Sequence, residues 1–486
     1  TKLLLRGGTL LVHDEKGYVN PNVSDLLIEG STITKIENNI QLTADETQVA
    51  KVIDCKGKII SPGFINTHQH LFQSQIKGKP ANHTLAEFFT CANLTAAKYT
   101  PIDTFWGQLS GALECIDAGT TTVVDHANPN LTEHSKTLIQ ALATSGLRCV
   151  FCYCPSRQTD YASTRSLHEF RALAAAGPFG KGRVQIGFAM DNIYLPGDVI
   201  KPYYQAIRRA GAKVITTHGA GGPAFGQKPS ALQLLDQHAL LGTDILVSHA
   251  NSPKEGDSAL LAKFGAFISS TVSTELQVGS APIAMMPEFY EYSSLGTDGN
   301  GWGAAYMPLQ MNMLVQHARY QRAEALAKNG VWSRDVGPRI EEVFNLATIA
   351  GARSIGMAND VGRLAVGFKA DLLIFAGTTP GMLVAAENDP LAAVVLHSTV
   401  RDLETVIVDG IMRKDGGKML DVQVADEPND AEVLIETGQI FSWGGIAREV
   451  LKSRKAIQQK MKGIDLRAAE DAIMDVYGMD KHALIH

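Results

Sequence analysis

The chain has 486 residues, of which 45% are hydrophobic and 19% are charged, as is typical of a globular protein with more than one structural unit. Its 44 Lys and Arg residues and 50 Asp and Glu residues give a net charge of −6 without a basic block, which argues against nucleic acid and membranes as partners. The sequence lacks the roughly 18 uninterrupted apolar residues of a membrane helix. All six cysteines precede residue 155 and do not form the disulfide framework of a short, loop-rich domain. We interpret them as reduced thiols of a cytosolic chain and therefore predict a cytoplasmic protein.

Two patterns of apolar residues follow one another along the chain. Residues 1–59 contain short alternating runs separated by turns, which predict a small antiparallel sheet. Residues 60–362 instead alternate apolar runs of strand length with amphipathic runs of helix length. The predicted strands are IISPGFINT, TTTVVDHA, LRCVFCYC, RVQIGFAM, AKVITTH, DILVSH, AFISST and YSSLGTD. Repeated β-then-α units favour an α/β fold of the (β/α)8 TIM-type barrel over an open doubly wound sheet.

The C-terminal part returns to short strands and then becomes helical. Residues 363–425 contain RLAVGFKADLLIF and LETVIVDGIMRKDGGKM, which we expect to join residues 1–59 in a composite β-sandwich domain. The charged tail, residues 426–486, is helical in pattern and includes AREVLKSRKAIQQKMKG. We predict that the tail contributes to packing or to a homo-oligomer, dimer or tetramer, rather than to a functional site.

Metal-capable residues lie at the ends of the predicted barrel strands. His68 and His70 are two residues apart, so on a strand their imidazoles point to the same face. His218, His249 and Asp298 end three later strands, and strand C-termini share one rim of a barrel. Imidazoles with a carboxylate suit zinc, with iron(II) as an alternative, and leave a position open for water. Such a site is typical of hydrolysis.

Three further residues are predicted near the same rim. Asp125 and His126 end the second predicted strand, and Asp191 follows the fourth. They form no second ligand pattern, so we interpret them as pocket or supporting groups.

The chain resembles the amidohydrolase superfamily, in the branch of purine, pterin and triazine aminohydrolases and chlorohydrolases. The similarity lies in PGFINTHQHLFQSQIKG, TTVVDH, THGAG, VSHAN, LGTDGNGW, VGRLAVGFKADLLIF and VIVDGIMRKDGG, and extends over residues 1–420. It implies one divalent ion, because the fourth strand carries no lysine to bridge a second.

The resemblance also implies roles for individual residues. His68, His70, His218 and Asp298 would bind the metal, Asp298 would take a proton from water, and His249 would orient the hydroxide or polarise the substrate. Gln73 matches a substrate-binding position of the branch. Trp302 lies in a segment whose aromatic side chains could stack on a planar ring.

The sequence departs from the branch at Gly221, where a glutamic acid normally protonates the leaving group. Glu275, after the seventh predicted strand, is our candidate replacement; a solvated loop position is the alternative. The predicted function is deamination of a small N-heterocycle by a metal-bound hydroxide. Displacement of another leaving group, as in dechlorination, and opening of a cyclic amide remain alternatives, as does a catalytically silent binding or structural homologue.

Overall fold

The computed structural model describes residues 2–156, 164–226, 228–427 and 435–485. Within these ranges, no helix combines the length and apolar character required to span a membrane.

The N-terminal segment forms one part of a sheet. Its strands are β1 (Lys2–His13), β2 (Val19–Glu29), β3 (Thr32–Glu37), β4 (Ala50–Asp54) and β5 (Lys58–Pro62), with α1 (Ala44–Val49) between β3 and β4. The first predicted barrel strand was wrong at its start, because Ile59 and Ile60 pair with β1 in this sheet. The backbone changes direction at Gly63, whose N–H donates to the Asp371 carbonyl.

The next strands are parallel and form a barrel. In chain order they are β6 (Phe64–His70), β7 (Thr120–His126), β8 (Arg148–Tyr153), β9 (Val184–Ala189), β10 (Ile215–His218), β11 (Ile245–Ser248), β12 (Phe267–Ser270), β13 (Ser293–Leu295) and β14 (Asp298–Gly299). The eighth predicted strand is split into β13, which pairs with β12, and β14, which pairs with β6. These two pairings close the barrel, as the repeated units predict.

Helices follow the barrel strands and cover the outside of the barrel. They are α2 (Leu85–Ala96), α3 (Pro101–Asp117), α4 (Ser135–Ser145), α5 (Thr164–Ala176), α6 (Gly197–Arg209), α7 (Ala231–Gln237), α8 (Asp257–Phe264), α9 (Val272–Gln277), α10 (Met307–Lys328), α11 (Ile340–Leu346) and α12 (Ile349–Ser354). A capping box starts α2: the Thr84 hydroxyl accepts from Glu87 N–H, and the Glu87 carboxylate accepts from Thr84 N–H. This cap fixes where α2 begins, and α2 lies beside the candidate site.

Residues after the barrel complete the first sheet. Strands β15 (Leu372–Ala376), β16 (Leu403–Val408), β17 (Ile411–Asp415) and β18 (Lys418–Met419) give the order β18-β17-β16-β15-β5-β1-β2-β3, and β4 also pairs with β1. A bridge between Thr32 and Lys369 brings the β3 edge back towards β15, so the sheet folds over. Leu5, Leu26 and Ile374 belong to the separate apolar core that this sheet encloses.

The C-terminal tail packs on the first helices of the barrel. Between β15 and β16 the chain forms α13 (Leu383–Asn388) and α14 (Pro390–Ala392). After β18 it forms the short strands β19 (Val422–Gln423) and β20 (Ile440–Phe441) and then the helices α15 (Trp443–Met461) and α16 (Leu466–Tyr477). Helix α15 packs on α3, and α16 packs on α2. The apolar face of α15 includes the buried residues Ile446 and Ile457.

Candidate metal centre and active site

The strand ends bring the predicted ligands together at one rim. His68 and His70 lie at the end of β6, His218 ends β10, and Asp298 begins β14, where it pairs with the β6 strand. His249 follows β11. Asp298 and His249 have positive φ angles of 62° and 68°, an uncommon conformation for non-glycine residues that is found at functional sites.

Four ligand atoms converge at this rim. Nε2 of His70 lies 3.3 Å from Nε2 of His218. Oδ1 of Asp298 lies 3.6 Å from Nε2 of His68 and 3.5 Å from Nε2 of His70. The structure therefore brings together the four residues that the sequence predicts as metal ligands.

The hydrogen bonds of these rings determine which nitrogen carries the proton. His70 Nδ1 is 2.7 Å from the His126 carbonyl oxygen, and His218 Nδ1 is 2.9 Å from a carboxylate oxygen of Asp191. Each acceptor requires a proton on Nδ1, so in a neutral ring Nε2 carries a lone pair. Burial lowers the pKa of His70 to about 3, which keeps that ring neutral. The two Nε2 atoms lie 3.3 Å apart, and with both rings neutral a cation between them would be stabilised by their lone pairs.

His68 is buried beside these two rings, and its Nδ1 partner is a hydroxyl, which can either donate or accept. Its Nδ1 is 2.8 Å from the hydroxyl oxygen of Ser248, and its buried Nε2 lacks a hydrogen-bond partner among the described residues. Burial holds the pKa of His68 well below its ordinary value. The donor set therefore fits a zinc-type ion: neutral imidazole nitrogens with one carboxylate.

Asp191 and His126 support the ligands from behind. Asp191 accepts from the ring of His218 through Oδ1, and its Oδ2 lies 3.2 Å from Nε2 of His126. Burial opposes ionisation of Asp191, but the neighbouring His218 and His126 hold its pKa well below the ordinary range. A carboxylate behind a ligating histidine fixes the ring orientation. Both residues also line the pocket.

Asp125 is not one of the described residues that line this pocket. It is buried beneath the site, where it accepts from the amide of Gln108 and from the backbone N–H of Leu71 at 3.2 Å. Burial raises its pKa to about 6. It fixes the start of the segment that follows the His68–His70 strand.

Glu275 lies beside His249 and is buried, so the alternative of a solvated loop position was wrong. Its Oε1 accepts from Thr271 N–H at 2.8 Å and lies 3.5 Å from His249 Nδ1. His249 Nδ1 is also 2.9 Å from the hydroxyl of Thr271. Burial would lower the pKa of His249, but its contact with Glu275 and the charge of Asp298 raise it above its ordinary value.

Gln73 and Trp302 lie in the wall of the same pocket, a cavity of about 220 Å³. The buried Gln73 Oε1 and Trp302 Nε1 atoms lack hydrogen-bond partners among the described residues. Gln73 Oε1 packs against Gly299 and Gly301, and both buried atoms are enclosed by protein and are not exposed to the cavity. The Trp302 ring packs on Phe88 with the ring centroids 4.1 Å apart.

Gly221 leaves no room for an unadjusted side chain. A Cβ added there would lie 2.6 Å from the Asn251 carbonyl oxygen and 2.8 Å from Ser252 Cβ. Asn251 also accepts from Gly221 N–H through its side chain at 2.9 Å. Asn251 lines the pocket and was not identified from the sequence; its position directly after the VSHA segment was the available signal.

Tyr477, which was not identified from the sequence, lines the pocket from the end of α16. The tail packs on α2 and α3, as predicted, but the prediction that it lies apart from a functional site is wrong at Tyr477. The sequence has no local motif for this contact, because it depends on how α16 packs on α2.

The chain is similar in sequence to two curated deaminases. The chain is 24% identical over 408 residues to a 5-methylthioadenosine/S-adenosylhomocysteine deaminase of Acetivibrio thermocellus, covering 80% of this chain and 90% of the relative. It is 27% identical over 443 residues to a 5'-deoxyadenosine deaminase of Methanosarcina barkeri, covering 86% and 95%.

A solved structure shows the same fold. Atrazine chlorohydrolase from Arthrobacter aurescens TC1, complexed with zinc, matches with a TM-score of 0.71 at 19% identity, covering 94% of this chain and 100% of that chain. The model of the amidohydrolase family matches residues 59–412, which include all of the metal-capable residues at the rim. The chain therefore belongs to the amidohydrolase family.

Proposed function

We propose that the protein is a metal-dependent aminohydrolase that removes the exocyclic amine from a 6-aminopurine of the adenosine type. One observation carries the proposal: the imidazoles of His68, His70 and His218 converge with the Asp298 carboxylate at a pocket whose wall includes Gln73 and Trp302. The two deaminase relatives support the choice of a purine nucleoside.

His68, His70, His218 and Asp298 would hold one divalent ion, which we propose is zinc, with iron(II) as the alternative. When bound, such an ion supplies Lewis acidity and activates water at neutral pH. The donor set described above supports this assignment.

The remaining residues have separate roles. The Asp298 carboxylate accepts a proton from the attacking water, and His249 orients that water or polarises the ring. Gln73 and Trp302, which line the pocket, contact the heterocycle. The contact between Glu275 and His249 supports a role for Glu275 in delivering a proton to the departing amine, which cannot leave as an amide ion.

The test is a panel of 5'-methylthioadenosine, 5'-deoxyadenosine, adenosine and adenine with the zinc-loaded full chain. We expect ammonia and the corresponding 6-oxopurine from at least one nucleoside. The metal-free chain, restored by added zinc, is the control. If the zinc-loaded chain releases no ammonia from any of the four compounds, the substrate assignment is wrong.

A second candidate is hydrolytic displacement of another leaving group, such as chloride from a triazine, or opening of a cyclic amide. Gly221 favours it, because the family acid is absent there and neighbouring atoms occupy the space. Chloride release from a chlorotriazine without ammonia release from purines would support displacement. A product that gains water without losing a group would support ring opening.

The proposal includes a cytoplasmic homo-oligomer, either a dimer or a tetramer. All six cysteines are free and buried, which agrees with a reducing compartment. Trp332 and Tyr320 are large side chains that are 81% and 63% exposed, which supports a surface that another copy of the chain covers. The segment around Trp332 is held against α10 by a 2.6 Å hydrogen bond from Arg322 to the Asp335 carbonyl. Light scattering would give the oligomeric state, and a monomer at micromolar concentration would contradict this part of the proposal.

A further inference from the structure

The pocket has two chemically different ends. His70, His218 and Asp298 lie at its base, whereas Leu85, Phe88 and Phe89 of α2 provide apolar surface elsewhere in its wall. A ligand that fills both ends needs a polar reacting ring and a less polar substituent.

Tyr477 extends this apolar wall from the far end of the sequence. Its ring stacks on Phe89 with the centroids 4.2 Å apart and the planes 16° from parallel. Its hydroxyl accepts from the Asn93 side-chain amide at 3.1 Å. The side chain is thus fixed by two contacts with α2 while it lines the pocket.

The segment around Tyr477 is held on both sides of the pocket. Helix α16 ends at Tyr477, because Gly478 adopts a left-handed conformation with φ of 60°. The Gly478 carbonyl accepts from Lys228 Nζ at 2.7 Å, and Asp480 N–H donates to the Ala224 carbonyl at 2.7 Å. Ala224 and Lys228 lie in the loop after the His218 strand, so the tail bridges that loop and α2.

We infer that Tyr477 is a specificity-determining residue, whose ring forms with Phe89 the platform for the non-reacting substituent of the substrate. The inference rests on the proposed function, because it assumes that the reacting ring lies at the metal ligands. The substituent that this platform suits is uncharged or aromatic, such as the 5'-substituted ribosyl group of a purine nucleoside.

The test compares a long and a short ligand in the zinc-loaded full chain. We would measure kcat and KM for 5'-methylthioadenosine and adenine, and the Kd of their 6-oxo products by calorimetry, which requires no turnover. Tyr477→Ala should raise the KM for 5'-methylthioadenosine and the Kd of its 6-oxo product roughly tenfold, and should leave kcat within about twofold. The KM for adenine and the Kd of its 6-oxo product should not change.

Two variants control for loss of structure. Tyr477→Phe keeps the ring and should bind the nucleosides within about twofold of wild type. Val476→Ala changes a neighbouring side chain that is 66% exposed and should have no effect. Thermal denaturation of each variant would verify folding.

The outcomes separate the two proposals. Binding that depends on Tyr477 without ammonia release would overturn the proposed function and keep the platform. If ammonia is released and the ratio of the KM for the nucleoside to the KM for the base is the same in wild type and Tyr477→Ala, the platform alone is overturned. Equal weakening of nucleoside and base would show a structural role and also overturn it, while a wild type that binds neither ligand would overturn both proposals.

Discussion

At His70 and His218, the hydrogen bond on one side of each ring decides the chemistry on the other. Acceptors at Nδ1 place the lone pair of a neutral ring on Nε2, and the two Nε2 atoms are 3.3 Å apart. We therefore expect one zinc ion per chain, and expect His218→Ala or Asp298→Asn to weaken zinc binding by about a hundredfold or more.

Metal content by mass spectrometry and zinc titration against a chelator would measure this effect. His168→Ala, which removes an exposed histidine on α5, is the matched control. Two ions per chain, or unchanged affinity in either ligand variant, would contradict a single site formed by these residues.

Glu275 is predicted to deliver the proton that Gly221 cannot. Glu275→Gln keeps the side-chain volume and can accept from Thr271 N–H, but it cannot transfer a proton. We expect zinc to be retained and kcat to fall by about 10²- to 10⁴-fold. An activated substrate whose leaving group needs no proton should restore the turnover of Glu275→Gln far more than that of His249→Gln.

Leu276→Ala, at the next and partly exposed position of α9, is the control for Glu275→Gln. Turnover of the natural substrate by Glu275→Gln within a few-fold of wild type would mean that another group supplies the proton.

At the scale of elements, one buried charge cluster connects the barrel to the terminal sheet. Arg148, at the start of β8, lies 2.7 Å from Asp371, just before β15, and 3.0 Å from Asp409. Arg183 lies 3.5 Å from Asp409 and would remain, but Arg148→Met leaves the buried Asp371 without its ion-pair partner, so we expect a loss of about 3–5 kcal/mol in the free energy of unfolding. Urea denaturation would measure it.

Arg165→Met is the matched control, because Arg165 forms ion pairs while 60% of its side chain is exposed. That change should leave the free energy of unfolding almost unchanged, because solvent screens an exposed ion pair. Equal effects of the two substitutions would show that the buried cluster does not stabilise the contact between the elements.

The order of elements explains how much of the site could be predicted. Polar residues at strand ends meet at one rim in a parallel barrel, so His68, His218 and Asp298 could be grouped from the sequence. Tyr477 could not, because its place depends on the packing of two distant helices. The strand boundary at Gly63 was also missed, because β5 and β6 both read as apolar strands and only the pairing partner distinguishes them.

At the scale of the whole molecule, we propose that residues 1–59 and 363–425 are one folding unit. Both segments supply strands to the folded sheet, and the pairing of β5 with β15 joins them. Deletion of the N-terminal segment should therefore destabilise the C-terminal one, as measured by limited proteolysis and hydrogen exchange. Cooperative unfolding of an isolated 60–362 fragment with native zinc affinity would contradict the proposal.

The contact between this unit and the barrel should also make stability depend on pH. His13 of β1 is 7% exposed, stacks on Phe344 with ring centroids 5.6 Å apart, and lies 3.0 Å from the Asn345 amide oxygen. Burial lowers its pKa from 6.5 to about 4; Asn345 and Asp14 oppose this effect, and the charge of Arg363 adds to it.

Because the folded protein holds His13 neutral, the unfolded chain takes up its proton first as the pH falls. The contribution of His13 to stability is complete above pH 6.5 and is lost as the pH falls towards 4. Between pH 7 and pH 4, wild type should therefore lose about 3 kcal/mol more in the free energy of unfolding than His13→Gln, which cannot titrate. Urea denaturation across this range measures the difference, with the exposed His168→Gln as control. Parallel stability curves for wild type and His13→Gln would show that His13 does not make the contact between the two units sensitive to pH.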